Sequence, residues 1–317
     1  MADGLFEADL MSPSVGVGLE PRPAVPLGNG ATRVLLYALT VALATAVYLA
    51  RPERLPVTGD EPHYLIMADS VVHDLTLDLR NAYGRDAETH RFYDGPIAPH
   101  VVIVNHRWAP YHGPGLSLLL ALPVFLAGTV GAKLVLCLFA GLLPLALHRF
   151  FAERVAPHAA AWLTVGITVS LPFCFGASQI FPDLVAGVIT TFLALWLIRD
   201  RGRAASPGLW ALFWLVSGAL PWLNSKYLAA TVVLVAGRVG AAWGEHRDGR
   251  VETAGRALTT GILAVVGPLG LAAFHTWGVG TPLGPRALSE VASNFSRASM
   301  MFLGLHFDQS QGMFVQH

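Results

Sequence analysis

Residues 34–50, VLLYALTVALATAVYLA, form an unbroken apolar run, and a short linker leads from it to Thr58-Gly59-Asp60-Glu61-Pro62-His63-Tyr64. The order of these two stretches decides the fold class. Arg33 leads into the run, which is about the shortest length that crosses a bilayer as a helix. Two adjacent carboxylates then stand within a few residues of where that helix leaves the membrane. Ionisable groups so placed are costly to leave half-solvated, and they invite a functional reading.

The rest of the composition agrees with a membrane chain. Of 317 residues, 54% are hydrophobic and 13% charged, whereas a soluble domain carries about 25% charged residues. The mean hydropathy is +0.53. Lys+Arg and Asp+Glu are equal at 21 each, and the absence of any basic block argues against nucleic acid as a partner. Cys137 and Cys174 both lie inside apolar runs. They read as packed thiols, with no disulfide framework or CxxC metal site.

Residues 1–31 are rich in Gly, Pro and small polar residues, and they read as a disordered cytoplasmic leader. The run after Arg33 is a retained anchor rather than a cleaved signal, because its charge follows a polar leader instead of opening the chain. Residues 51–130 form the first extracytoplasmic loop. Within it Leu65, Ala68, Val71, Val72 and Leu75 recur at helical spacing opposite His63, Asp69 and Asp74, which predicts an amphipathic helix on the membrane surface. His112-Gly113-Pro114-Gly115 breaks the chain before Leu116–Leu126, a run short enough to be a second surface or re-entrant helix.

Six longer runs follow, at Gly131–Leu147, Ala159–Phe175, Leu184–Ile198, Leu209–Leu223, Leu228–Trp243 and Ala257–Phe274. With the anchor they predict an all-α transmembrane bundle of about seven spans. Arg149 and Arg154, then Arg199, Arg201 and Arg203, then Arg238, Arg247, Arg250 and Arg256 fall in alternate loops. The positive-inside rule makes those loops cytoplasmic, together with the N-terminus. The first loop and the segments near Pro182 and Pro221 are then outside. This parity requires that Leu116–Leu126 does not cross.

Asp60 and Glu61 begin a helix with Pro62 in its first turn. They read either as an N-cap and a favourable first-turn charge, or as catalytic acids. A carboxylate at a helix N-terminus is favoured in its charged form, which a general base requires. Lys226 and Lys133 sit at outer ends of spans, where a lysine either snorkels in an aromatic belt or binds an anion. Arg91 and Arg107 in the first loop could bind that anion instead. Asp183 follows Pro182 in an ordinary helix start, with an acceptor-orienting or metal-binding role as the other reading. His63, His73, His90, His100, His106 and His112 all fall in the first loop. With Asp60 and Glu61 they could hold a divalent cation, but their spacing matches no metal motif.

Asp60-Glu61 after the first span resembles the acidic motif of the GT-C glycosyltransferase superfamily, and looks nearest to its protein O-mannosyltransferase and aminoarabinose-transferase branch. Tyr111-His112-Gly113-Pro114-Gly115-Leu116 looks like that branch's approach to a second juxtamembrane helix. Phe181-Pro182-Asp183 resembles a later outer-loop acidic motif. Leu220-Pro221-Trp222-Leu223-Asn224-Ser225-Lys226-Tyr227 looks like another outer-face motif of related bacterial membrane proteins. The likeness covers roughly residues 32–280 and lies mainly in span order and loop placement.

The resemblance implies an inverting transferase in the plasma (inner) membrane that serves the cell envelope. Its donor would be a polyprenyl-phosphate sugar and its acceptor a hydroxyl of a glycan, lipid or protein. A first-loop carboxylate would take the acceptor's proton. This chain has Asp-Glu where two aspartates would be expected, which leaves Asp60 or Glu61 as the base, with Asp60 favoured and Asp183 a further acid. His63, Tyr64, Tyr111, His112 and Trp222 would contact substrate, and Lys226 or Lys133 would meet the charge growing on the lipid phosphate. That branch does not generally need a metal, so no cofactor is expected. The resembled enzymes continue with further spans and often a soluble outer domain, so the polar stretch 281–317 is expected to run on into a longer chain. The competing readings are a transporter or flippase of lipid-linked substrates, and a non-catalytic membrane assembly subunit. A transporter would place polar groups at mid-membrane and often shows inverted repeats, and no repeat is visible here.

Overall fold

A computed structural model of the protein describes residues 30–50, 57–199, 206–249 and 251–284. The expected leader up to residue 29, the tail beyond residue 284, the linker 51–56 and the arginines at 201, 203 and 250 lie outside the described residues.

Helices dominate, in the order α1 (Gly30–Leu49), α2 (Glu61–His73), α3 (Arg80–Thr89), a hairpin of β1 (Val101–Val104) and β2 (Arg107–Pro110), α4 (Gly115–Ala140), α5 (Leu142–Ala152), α6 (Pro157–Thr168), α7 (Leu171–Gly176), α8 (Pro182–Arg199), α9 (Pro207–Leu223), α10 (Leu228–Arg247), α11 (Val251–Thr259) and α12 (Leu263–Val279). Among the described residues, Gly30–Leu49, Gly115–Ala152, Pro182–Arg199 and Ser225–Arg247 are long and apolar enough to cross a membrane, and α9 and α12 are shorter apolar helices. Leu35, Phe125, Trp162, Val233, Trp243 and Leu269 lie bare on the outside of these helices. Lipid tails solvate such side chains as well as a protein core does.

Three apolar runs fold in pieces. Leu116–Leu126 is the first half of α4, set off from the rest by a break at Ala127 (φ −146°) and Gly128 (φ 57°). Leu116, Leu120 and Val124 recur every four residues along one face and are fully buried. The Ser117 hydroxyl donates to the Tyr64 carbonyl at 2.8 Å, joining this half to α2. Ala159–Phe175, expected as one span, divides into α6 and α7 because the chain is extended at Ser170 (φ −57°, ψ 141°). Ala257–Phe274 divides likewise between α11 and α12.

Helix α2 departs from the expected surface helix. Every residue from Glu61 to Ser70 is buried, including His63 and Asp69 on the face meant for water. The polar face has polar partners rather than solvent. Asp69 is paired with Arg85 of α3 at 2.8 Å and with Arg91 at 2.9 Å. The hairpin was absent from the all-α reading. Val101–Val104 and Arg107–Pro110 pair antiparallel around Asn105 and His106. Both turn residues have positive φ, 49° and 63°, as a two-residue turn matched to the strand twist requires. Asp78 fixes the hairpin by accepting from the Trp108 N–H at 3.1 Å.

Arg149, Arg199 and Arg247 end α5, α8 and α10. Arg199 pairs with Glu153 at 2.6 Å, so the ends of α5 and α8 lie side by side. Arg238 is a correction. It is not in a loop but within α10, 1% exposed, paired with Glu245 at 3.0 Å and 4.1 Å above the Trp210 ring.

Glycine at 113 and 115 is a packing requirement. A Cβ at Gly115 would stand 2.7 Å from the Trp222 carbonyl carbon, and one at Gly113 2.5 Å from the Trp222 oxygen. Backbone cannot step aside as a side chain can. Gly115→Ala should therefore lower stability by about 1–3 kcal/mol. Gly84→Ala in α3, where a Cβ meets nothing within 4 Å, should be neutral or stabilising by up to about 1 kcal/mol. Thermal melts of both variants in detergent check this, and equal melting temperatures would refute the packing.

Candidate functional site

The loop ends of α2, α4, α8, α9 and α10 converge at the end of the bundle opposite the arginines. Glu61 is 3% exposed there. Its Oε1 accepts from the Ile180 N–H at 2.7 Å and faces Lys133 Nζ at 3.5 Å. Its Oε2 accepts from the Thr58 N–H, three residues back, at 3.0 Å. Gly59 turns the chain between them with φ 58°, a conformation glycine adopts without strain. The carboxylate thus ties three segments together and has no free face. Lys133 is equally enclosed, 3% exposed and facing Glu61. That corrects its placement as a phosphate contact, because its charge is spent inside the protein.

Asp60 behaves in the opposite way. It occupies the N-cap position of α2, yet its side chain makes no capping bond. The physical reason lies in the first turn: Pro62 has no N–H, and the His63 N–H is taken by the Asp60 carbonyl at 3.1 Å. The carboxylate, 42% exposed, faces His100 Nδ1 at 3.4 Å and His112 Nε2 at 3.7 Å. The capping reading of Asp60 is therefore withdrawn.

Around it stand aromatic and imidazole rings. His100 Nδ1 and His112 Nε2 share a hydrogen bond at 3.0 Å. His63 stacks on His100 with ring centroids 3.7 Å apart and shares a 2.7 Å hydrogen bond with the Tyr83 hydroxyl. Burial, and then the neighbouring His100 and His112, bring the His63 pKa down to about 4, with Asp60 opposing. Burial raises Tyr83 to about 12, and both groups are neutral near pH 7. The Tyr83 hydroxyl also accepts from the His100 N–H at 3.1 Å, which fixes the start of the hairpin segment. Tyr64 is buried with its ring 5.1 Å from His112, and Tyr111 lies 5.7 Å from His112 on the other side. Tyr111 and His112 line a small cleft of about 30 Å³, room for one water-sized group, with Gly113, Asn224, Ser225 and His275.

A second polar group sits at the starts of α8 and α10. Asp183 accepts from Lys226 Nζ at 2.7 Å and from the Tyr227 hydroxyl at 2.8 Å. Lys226 and Asp183 are each more than half exposed. The two motifs expected on separate outer loops are thus brought into contact. Phe181, two residues before Asp183, lies against Gly59. Trp222 is elsewhere than expected: its indole N–H donates to the Gly267 carbonyl at 2.8 Å, and it packs α9 on α12. Arg91 is committed to Asp69, and Arg107 lies over the Trp277 ring at 5.1 Å.

His100 and Tyr83 are the site residues that the sequence did not single out. His100 was one of six histidines, and only the hairpin separates it from the rest. The usable signal was Val101–Val104, Asn105-His106, then Arg107–Pro110, two β-prone runs around a two-residue turn. No protein-family model, curated protein or solved structure matches the chain.

Proposed function

We propose that this protein is a multi-pass membrane glycosyltransferase of the GT-C kind, transferring a sugar with inversion from a polyprenyl phosphate to an acceptor hydroxyl. Asp60 is the general base. The observation that carries this reading is that Asp60 stands at a helix start, caps nothing, and is half-exposed beside a cleft of aromatic and imidazole rings. A carboxylate so placed can reach a substrate proton, whereas Glu61 cannot. Lys226, exposed and steered by Asp183, receives the donor phosphate, and Tyr64, Tyr111, His63 and His112 shape the sugar and acceptor site. The test is transfer from a panel of labelled polyprenyl-phosphate sugars to glycan, lipid and protein acceptors by the purified full chain. No product from any donor would overturn it, and movement of donor across vesicles without transfer would favour the transporter reading. The Arg238–Glu245 pair buried in α10 is the observation on that side, since ionic groups inside a bundle often line transport paths.

The chain crosses the plasma membrane about seven times with its N-terminus inside. Single cysteines in a background free of Cys137 and Cys174 check this. Cysteine at the exposed Glu88 should react with an impermeant thiol reagent in intact cells, and cysteine at Arg154 should not. The reverse pattern would invert the orientation.

A further inference from the structure

We propose that Asp60, His100 and His112 form a three-ligand site for a divalent cation of the zinc type, with a fourth position left for an exchangeable oxygen ligand. The three donor atoms, Asp60 Oδ1, His100 Nδ1 and His112 Nε2, all lie within 4.8 Å of one another. Their separations are 3.0, 3.4 and 3.7 Å. Three ligands about 2.05 Å from a tetrahedral ion lie about 3.3 Å apart, and three on one octahedral face about 3.0 Å apart. The observed triangle matches the tetrahedral face. Two imidazoles and one carboxylate are also the donor set of open zinc sites, which keep one position for water or substrate.

The surroundings behave as an orienting shell. The His100 backbone N–H donates to the Tyr83 hydroxyl, the His63 ring stacks on the His100 ring, and Tyr83 in turn holds His63. His112 is 8% exposed in its side chain, while Asp60 and His100 are each 42% exposed, so one side of the triangle is walled and the other is open. The cleft beside His112 gives an oxygen ligand room to approach, and phosphate oxygen and water share that chemistry. The alternative occupant is a proton shared between the two histidines at 3.0 Å. Such a pair binds no metal.

This inference goes beyond the transferase reading and does not depend on it, because metal uptake is measured without any donor or acceptor.

The experiment uses the full chain in detergent, stripped with chelator and titrated with Co²⁺. The expected result is one equivalent bound with the intense visible absorption of a four-coordinate site, displaced by Zn²⁺. His100→Ala and His112→Ala should each lose that absorption, while His90→Asn, in the same loop but outside the triangle, should keep it. Wild-type protein that takes up no Co²⁺, or shows only the weak absorption of a six-coordinate ion, would overturn the site. So would undiminished binding by His100→Ala. If a histidine variant fails to fold, the wild-type spectrum and a rise in wild-type melting temperature on adding Zn²⁺ decide the matter, and their absence refutes it.

Discussion

Asp60→Asn should lower the rate of sugar transfer by roughly a hundred- to ten-thousand-fold, the range that general-base catalysis supplies. Asparagine keeps the size of the side chain and can still accept hydrogen bonds, but it cannot hold a proton taken from a hydroxyl. Stability should barely change, within about 0.5 kcal/mol, because the side chain is 42% exposed and caps no N–H. Donor affinity should hold as well, since the donor phosphate is assigned to Lys226 beside Asp183. The variant is thus expected to bind, fold and fail to turn over. Measuring transfer rate, donor affinity and melting temperature together separates this outcome from general damage. A near-normal rate would remove the base and leave the transferase reading without its main support.

What the sequence made legible was the local chemistry of each segment. The apolar runs at 34–50, 184–198 and 228–243 all became long helices, since a continuous apolar stretch has few other ways to satisfy its backbone in lipid. The end of the Leu116–Leu126 run also coincides with the break in α4 at Ala127 and Gly128. Long-range pairing was not legible. Nothing in a linear reading says that Glu61 meets Lys133 and the Ile180 N–H, or that His100 swings next to Asp60 on a hairpin. Lys133 and Lys226 look alike in sequence, each a lysine at a helix end. One proved enclosed against a carboxylate and the other exposed beside one. The α2 helix failed for a related reason: its polar face predicts water, and Arg85 of α3 and Arg91 just beyond it met that face instead.

Glu61→Gln should therefore act in the opposite way to Asp60→Asn, with a loss of stability of about 3–5 kcal/mol rather than a specific loss of rate. Removing one partner of a buried ion pair leaves the other charge without compensation. Here the two partners are unequal. After Lys133→Met, Glu61 still accepts from the Thr58 and Ile180 N–H groups, and a carboxylate with such donors keeps much of its stabilisation. After Glu61→Gln, Lys133 stays charged and 3% exposed, with the Tyr48 ring at 5.8 Å as its remaining favourable neighbour among the described residues. One end of the glutamine is also an NH₂ group, which cannot accept from a backbone donor. Glu61→Gln should cost more than Lys133→Met, and the double variant less than the sum of the two. Unfolding of the four proteins in detergent measures the cycle. Equal costs, or simple additivity, would mean that the pair does not hold the 58–61 turn against α4. The turn positions Asp60, so whatever rate Glu61→Gln loses should return when the protein is stabilised by lower temperature, whereas the rate lost by Asp60→Asn should not.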